Sequence, residues 1–78
     1  MEYQIRLFVG NDKQTKSLAE RFMKKVREEG KLKREEAIVS EKKLFIQEVY
    51  EWKRKEYVFI TTETKRSKHY KIYKIEEE

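Results

Sequence analysis

The stretch Val49 to Thr62, VYEWKRKEYVFITT, constrains the fold more than any other part of the chain. It reads as two β-strands joined at a basic turn, with apolar residues on both sides. In the second strand Val58 and Ile60 alternate with Tyr57 and Phe59, and side chains along a strand point to opposite faces in turn. Both faces of such a sheet require cover. Only one segment elsewhere has the period of a helix, so the other face is expected to meet a partner subunit, a ligand or nucleic acid.

That helix is predicted over residues 13–29. Its apolar set, Leu18, Ala19, Phe22, Met23 and Val26, forms one stripe at helical spacing. Asp12 or Thr15 is placed to cap its start, with Ser17 to Glu20 as a competing capping box, and Gly30 stands where a left-handed C-cap is expected. Ahead of it, residues 2–9 alternate as a strand, with Tyr3, Ile5, Leu7 and Val9 on one face. After it, residues 36–52 read as one long strand, bent or bulged near Ser40 to Lys43. Further strands are predicted at 56–63 and 69–75. The short connection Thr64 to Lys68 suits an antiparallel hairpin. The expectation is a single α+β domain, 1–78, of order β-α-β-β-β, with one helix on a mainly antiparallel sheet.

Composition bounds the rest. Charged residues make up 45% and apolar ones 37% of the chain, a balance that favours disorder when apolar residues are scattered. Here they recur at regular periods, which marks a folded domain. A chain of 78 residues buries only about 60–65% of its unfolded surface. With no cysteine there is no disulfide, thiolate metal site or cysteine nucleophile, so self-association is the expected aid to stability. Abundant Lys and Glu without Cys or Pro is the profile of proteins from hot environments, and designed chains share it. The start MEYQIRLFVG has no charged leader before an apolar run, and no stretch near 18 apolar residues exists, so no signal peptide or membrane span is expected and a cytoplasmic location follows by default.

Several residues together resemble a known family. Leu32 and Ala37-Ile38-Val39 after the helix, Tyr50-x-Trp52, a basic hairpin, Glu56, an apolar strand ending in Thr61-Thr62, and His69-Tyr70 at a late strand are similar, in order and letters, to the CutA divalent-cation-tolerance proteins. These are small trimeric ferredoxin-like domains related in fold to the PII signalling proteins. The resemblance implies a non-enzymatic homo-oligomer, a trimer, binding a metal ion or small ligand. The sequence departs from that pattern in four ways. It has no room for a second long helix, isoleucine (Ile38) stands at the cysteine position, the proline after the histidine is missing, and the hairpin lacks glycine.

Catalysis has little to work with: one histidine, no cysteine and no positioned nucleophile, so no catalytic residue and no cofactor is assigned. His69 is the one imidazole open to a metal, but it lacks companion ligands at any recognisable spacing. Glu35, Glu36, Glu48 and Glu51 have basic neighbours and read as surface ion pairs. Gly10-Asn11-Asp12 is explained by capping, since one glycine falls far short of a phosphate loop. Tyr50 and Trp52, beside a turn, read as an oligomer anchor, core or ligand platform, and with Tyr57 and Phe59 they are the expected oligomer interface. The rival expectation is single-stranded nucleic acid, with bases stacked on sheet aromatics and phosphates met by Lys53, Arg54, Lys55, Lys65, Arg66 and Lys68. Lysines on hairpin turns also keep edge strands apart, which explains the same residues without a ligand.

Overall fold

The computed structural model describes residues 1–78. Its elements are β1 (Glu2–Leu7), α1 (Lys13–Glu29), β2 (Lys31–Val39), β3 (Leu44–Trp52), β4 (Lys55–Glu63) and β5 (Lys68–Glu77). All four pairings are antiparallel and the sheet order is β1-β5-β4-β3-β2. The molecule is thus α+β, one helix on a five-stranded antiparallel sheet. The element order and strand order differ from the β-α-β-β-β arrangement expected.

The difference comes from Ser40 to Lys43. These residues do not bulge one long strand but reverse it: Ala37 pairs with Ile46 and Val39 with Leu44. Ser40 N–H donates to the Lys43 carbonyl at 2.9 Å and the Ser40 hydroxyl closes the same loop. Serine fixes here a turn that carries neither glycine nor proline. The real bulge lies in β2, between Leu32 and Arg34.

α1 connects the two edge strands. Four antiparallel steps leave β1 and β2 running in the same direction on opposite edges, a span of about 19 Å. Seventeen helical residues reach about 25 Å, enough to cross the sheet obliquely. Asp12 caps the start, its carboxylate accepting from the Thr15 N–H at 2.8 Å. That bond holds the Asp12 carboxyl below its ordinary range. Gly30 is extended (φ −91°, ψ −174°) rather than left-handed. Its role is space, because a Cβ there would lie 2.7 Å from the Val26 carbonyl and 2.8 Å from that of Glu51. β2 therefore starts at once, with no charged connection before it.

β1 is also shorter than its alternation suggests. Phe8 adopts φ 53°, which ends the strand and turns its ring onto Phe22 at 5.3 Å. Val9 is left exposed.

The helix settles which face of the sheet is inside. Ala19, Met23 and Val26 pack on Tyr50, Tyr57, Phe59 and Ile72, with Phe22 and Trp52 at the margin. Phe22 meets Tyr57, Trp52 and Phe59 in edge-on contacts at 5.2, 5.8 and 6.2 Å, the geometry that ring quadrupoles prefer. The opposite face carries Phe45, Val49, Val58, Ile60, Tyr73 and Ile75, by the register of the strands, and no element lies on it.

Candidate basic clefts at the turn end of the sheet

Because β1, β2 and β4 run the same way, their C-terminal ends share one end of the sheet with the first turn of α1. The loops 8–12, 40–43 and 64–67 cluster there, whereas the β3–β4 turn and both chain termini lie at the other end. This turn end holds two clefts. The first, about 360 Å³, is lined by Arg6, Lys16, Arg66, Lys68 and Lys71 together with His69, Phe8 and Tyr70. The second, about 440 Å³, shares Arg66 and adds Lys42, Lys43 and Lys65. Glu41 is the sole carboxylate lining either one.

Geometry opens the first cleft. β1 pairs with β5 only as far as Leu7 with Ile72, so Lys68 to Lys71 have a strand neighbour on one side alone. The chain then turns away through Phe8 to the helix, and the gap between that loop and β5 is the cleft. Lys71 and His69 rise on the open face and Lys68 and Tyr70 on the helix face, so cations reach it from both sides of the sheet. Lys68 stands 5.8 Å from the centre of the Tyr70 ring. The Tyr70 hydroxyl donates to Glu20 at 3.3 Å, and burial, reinforced by that carboxylate, holds the phenol above its ordinary range.

None of the eight cations lining these clefts is paired. The chain's salt bridges are Arg27–Glu48, Lys33–Glu51, Lys55–Glu76 and Lys74–Glu76, all away from the turn end. Of the carboxylates nearby, Asp12 caps the helix and Glu20 accepts from Tyr70, while Glu63 stands opposite Lys68 across the β4–β5 ladder without a salt bridge to it. Chemically, the turn end is a surface on which positive charge exceeds negative.

The candidate residues fall into three places. Lys65, Arg66 and Lys68, with Lys71 of the same stretch, belong to the turn end, where they join Arg6, Lys16, Lys42 and Lys43 from distant parts of the chain. Lys53, Arg54 and Lys55 sit at the far end of β4. Lys55 is tied to Glu76 at 2.9 Å, Lys53 lies 4.6 Å over the Trp52 ring, and Lys53 and Arg54 form a two-residue turn with positive φ at both positions. The two basic clusters therefore do not form one surface.

Tyr50, Trp52, Tyr57 and Phe59, expected at an interface between copies, face the helix instead. Phe59 is fully buried and Tyr50 and Tyr57 nearly so, and no partner reaches these three without displacing α1, whereas Trp52 is half-buried at the margin. For the same reason Tyr50, Tyr57 and Phe59 offer no stacking platform for bases. His69, the candidate metal ligand, lies among Arg6, Arg66, Lys68 and Lys71, a field that repels a cation. No group of three or more metal-ligating side chains converges anywhere in the chain.

Glu48 is a further correction. It is buried on the helix face, where Arg27 donates to it at 2.5 and 3.3 Å and the Tyr50 hydroxyl at 2.9 Å. Arg27 also lies 5.7 Å over the Phe59 ring. Burial and the Glu48 carboxylate raise the Tyr50 phenol. The Arg27 guanidinium is held above its ordinary range: desolvation pulls it down, but the Glu48 bond and charge outweigh that. This network is structural, linking α1 to the sheet centre.

No helix is long and apolar enough to cross a membrane. No family model, no curated protein and no solved structure matches this chain, so the CutA resemblance rests on its quoted residues alone.

Proposed function

We propose that this domain binds nucleic acid through the phosphate backbone, with the turn end of the sheet as the contact surface. The observation that carries the reading is the set of eight unpaired Lys and Arg lining two adjoining clefts beside a single carboxylate. Surface cations with no function are usually interleaved with acids, as they are on the rest of this chain. Here three loops from separate parts of the sequence bring eight cations together, well in excess of the acids Asp12, Glu41 and Glu63 that accompany them. A polyanion releases counterions on meeting such a surface, which supplies affinity without reading sequence. The burial of Tyr50, Tyr57 and Phe59 favours phosphate contacts over base stacking, so duplex and single strands are both ligands in this reading. The alternative drawn from the CutA resemblance, a sensor of a metal ion or small ligand, is less well supported by the cationic surroundings of His69.

The test is fluorescence anisotropy of labelled oligonucleotides, duplex and single-stranded, across a salt series. If the five cations of the first cleft each meet a phosphate, log K falls against log salt with a slope of about −3.5 on single strands and about −4.5 on duplex. Lys16→Gln, Arg66→Gln and Lys68→Gln together reduce that slope by about 2 to 3. Lys53→Gln with Arg54→Gln, at the far end, leaves it unchanged. Absence of binding at low salt, or an equal loss from the far-end variant, refutes the assignment.

A further inference from the structure

We infer that the open face of the sheet is a self-association surface, on which a second copy of this chain stacks with its strands antiparallel to the first. The apolar face this inference rests on is separate from the basic clefts, and Lys71 borders both surfaces. Three observations lead to it.

The first is apolar continuity. Tyr73, Val58 and Val49 occupy one row across the centre of the face, flanked by Ile60 and Ile75, and Phe45 and Ile38 continue the strip to the β2–β3 hairpin. Val49 and Val58 are buried with no element above them, so neighbouring side chains already close the centre into a packed surface. Ile38 and Phe45 remain 69% and 43% exposed.

The second is area. Five strands about 4.8 Å apart and some nine residues long give a face of about 700 Å², close to the roughly 800 Å² per partner of a standard interface. Sheets stack in this manner about 10 Å apart, with their strands nearly aligned.

The third is charge, which selects the second copy and its direction. At the terminus end the open face gathers Glu2, Glu51, Glu56 and Glu77 around one concavity of about 230 Å³, which Arg54 and Lys55 also line, Lys55 being paired with Glu76. At the other end it presents Lys71, with Glu36 at the far side of the same row and the turn lysines beyond. A copy stacked with parallel strands sets these acids over their own counterparts. A copy turned about a two-fold axis across the strands sets them toward the partner's basic end, twice by symmetry. The excess charges of the two ends favour that direction, and the central row ends in Arg6 and Arg34 on either side.

The experiment is sedimentation equilibrium or light scattering from about 10 µM to about 1 mM, the range in which a modest interface of this size associates. The mass should rise from 9.7 kDa toward twice that value. Phe45→Glu with Ile60→Glu should hold it at 9.7 kDa with an unchanged far-ultraviolet circular dichroism spectrum. Phe45→Glu alone, at a half-exposed position, is the reserve should the pair unfold. Glu51→Lys with Glu56→Lys should weaken association about tenfold in the antiparallel arrangement, whereas parallel stacking predicts it to strengthen. A chain still at 9.7 kDa near 1 mM, a trimer, a dimer insensitive to Phe45→Glu, or tighter association of the lysine variant overturns the proposal.

Discussion

Removing Arg27 while leaving Glu48 in place tests how the helix is held to the sheet. The Glu48 side chain is 10% exposed and takes two bonds from Arg27 and one from Tyr50. Arg27→Met keeps the aliphatic stem that lies against Phe59 but deletes both N–H donors, leaving a nearly buried carboxylate with the tyrosine alone. Breaking a fully buried pair in this way costs about 3–5 kcal/mol. Arg27 is 40% exposed, so water reaches the vacated side of Glu48, and the expected loss is about 2 kcal/mol. In a domain of this size that is a fall of about 10 °C in Tm. Glu48→Gln added to Arg27→Met removes the orphaned charge yet still accepts from Tyr50, so the double variant should be more stable than Arg27→Met by about 1 kcal/mol. Urea unfolding followed by Trp52 fluorescence reads both values from the midpoint at constant m. An Arg27→Met midpoint within error of the parent, or a double variant less stable than the single, refutes the account.

Gly30→Ala forces two backbone carbonyls to move, since its Cβ would come within 2.8 Å of both. It should cost about 1–3 kcal/mol by the same urea assay, and a neutral result shows the glycine is dispensable. Arg54→Gly relieves a side chain from φ 64° in the two-residue β3–β4 turn. A thermal melt should show stabilisation of about 1 kcal/mol, and a lower Tm contradicts the strain argument. Tyr50 and Tyr70 are both held above the ordinary phenol range, so their neutral forms favour the fold. Their contribution is complete below the unfolded value of 10.0 and is lost as pH rises through the folded values. The urea midpoint should fall above that pH, less steeply in Tyr50→Phe with Tyr70→Phe; an identical slope in that variant removes the two phenols from the explanation.

Local patterns in the sequence account for much of this molecule. The alternation of Tyr57 and Phe59 with Val58 and Ile60 places a two-faced strand at the centre of a sheet, and the helix follows from Leu18, Ala19, Phe22, Met23 and Val26 with its Asp12 cap. Periodicity and capping act over a few residues, so they are legible in the string. Ser40 to Lys43 shows the limit. A bulge and a reversal differ there by a few hydrogen bonds, and only the pairing of Ala37 with Ile46 decides between them. Alternation divides Tyr57 from Val58 but does not say which side receives the helix. That choice belongs to the packing of α1, which takes the aromatic side and leaves Val49 and Val58 for the other. The basic clefts are the extreme case. The run Lys65, Arg66, Lys68, Lys71 is visible as a basic stretch, but Arg6, Lys16 and Lys42 are scattered along the chain among acids, and they join it only because three strands end together beside the start of the helix. Charge summed along a sequence is blind to that convergence, because electrostatic potential depends on distances in space.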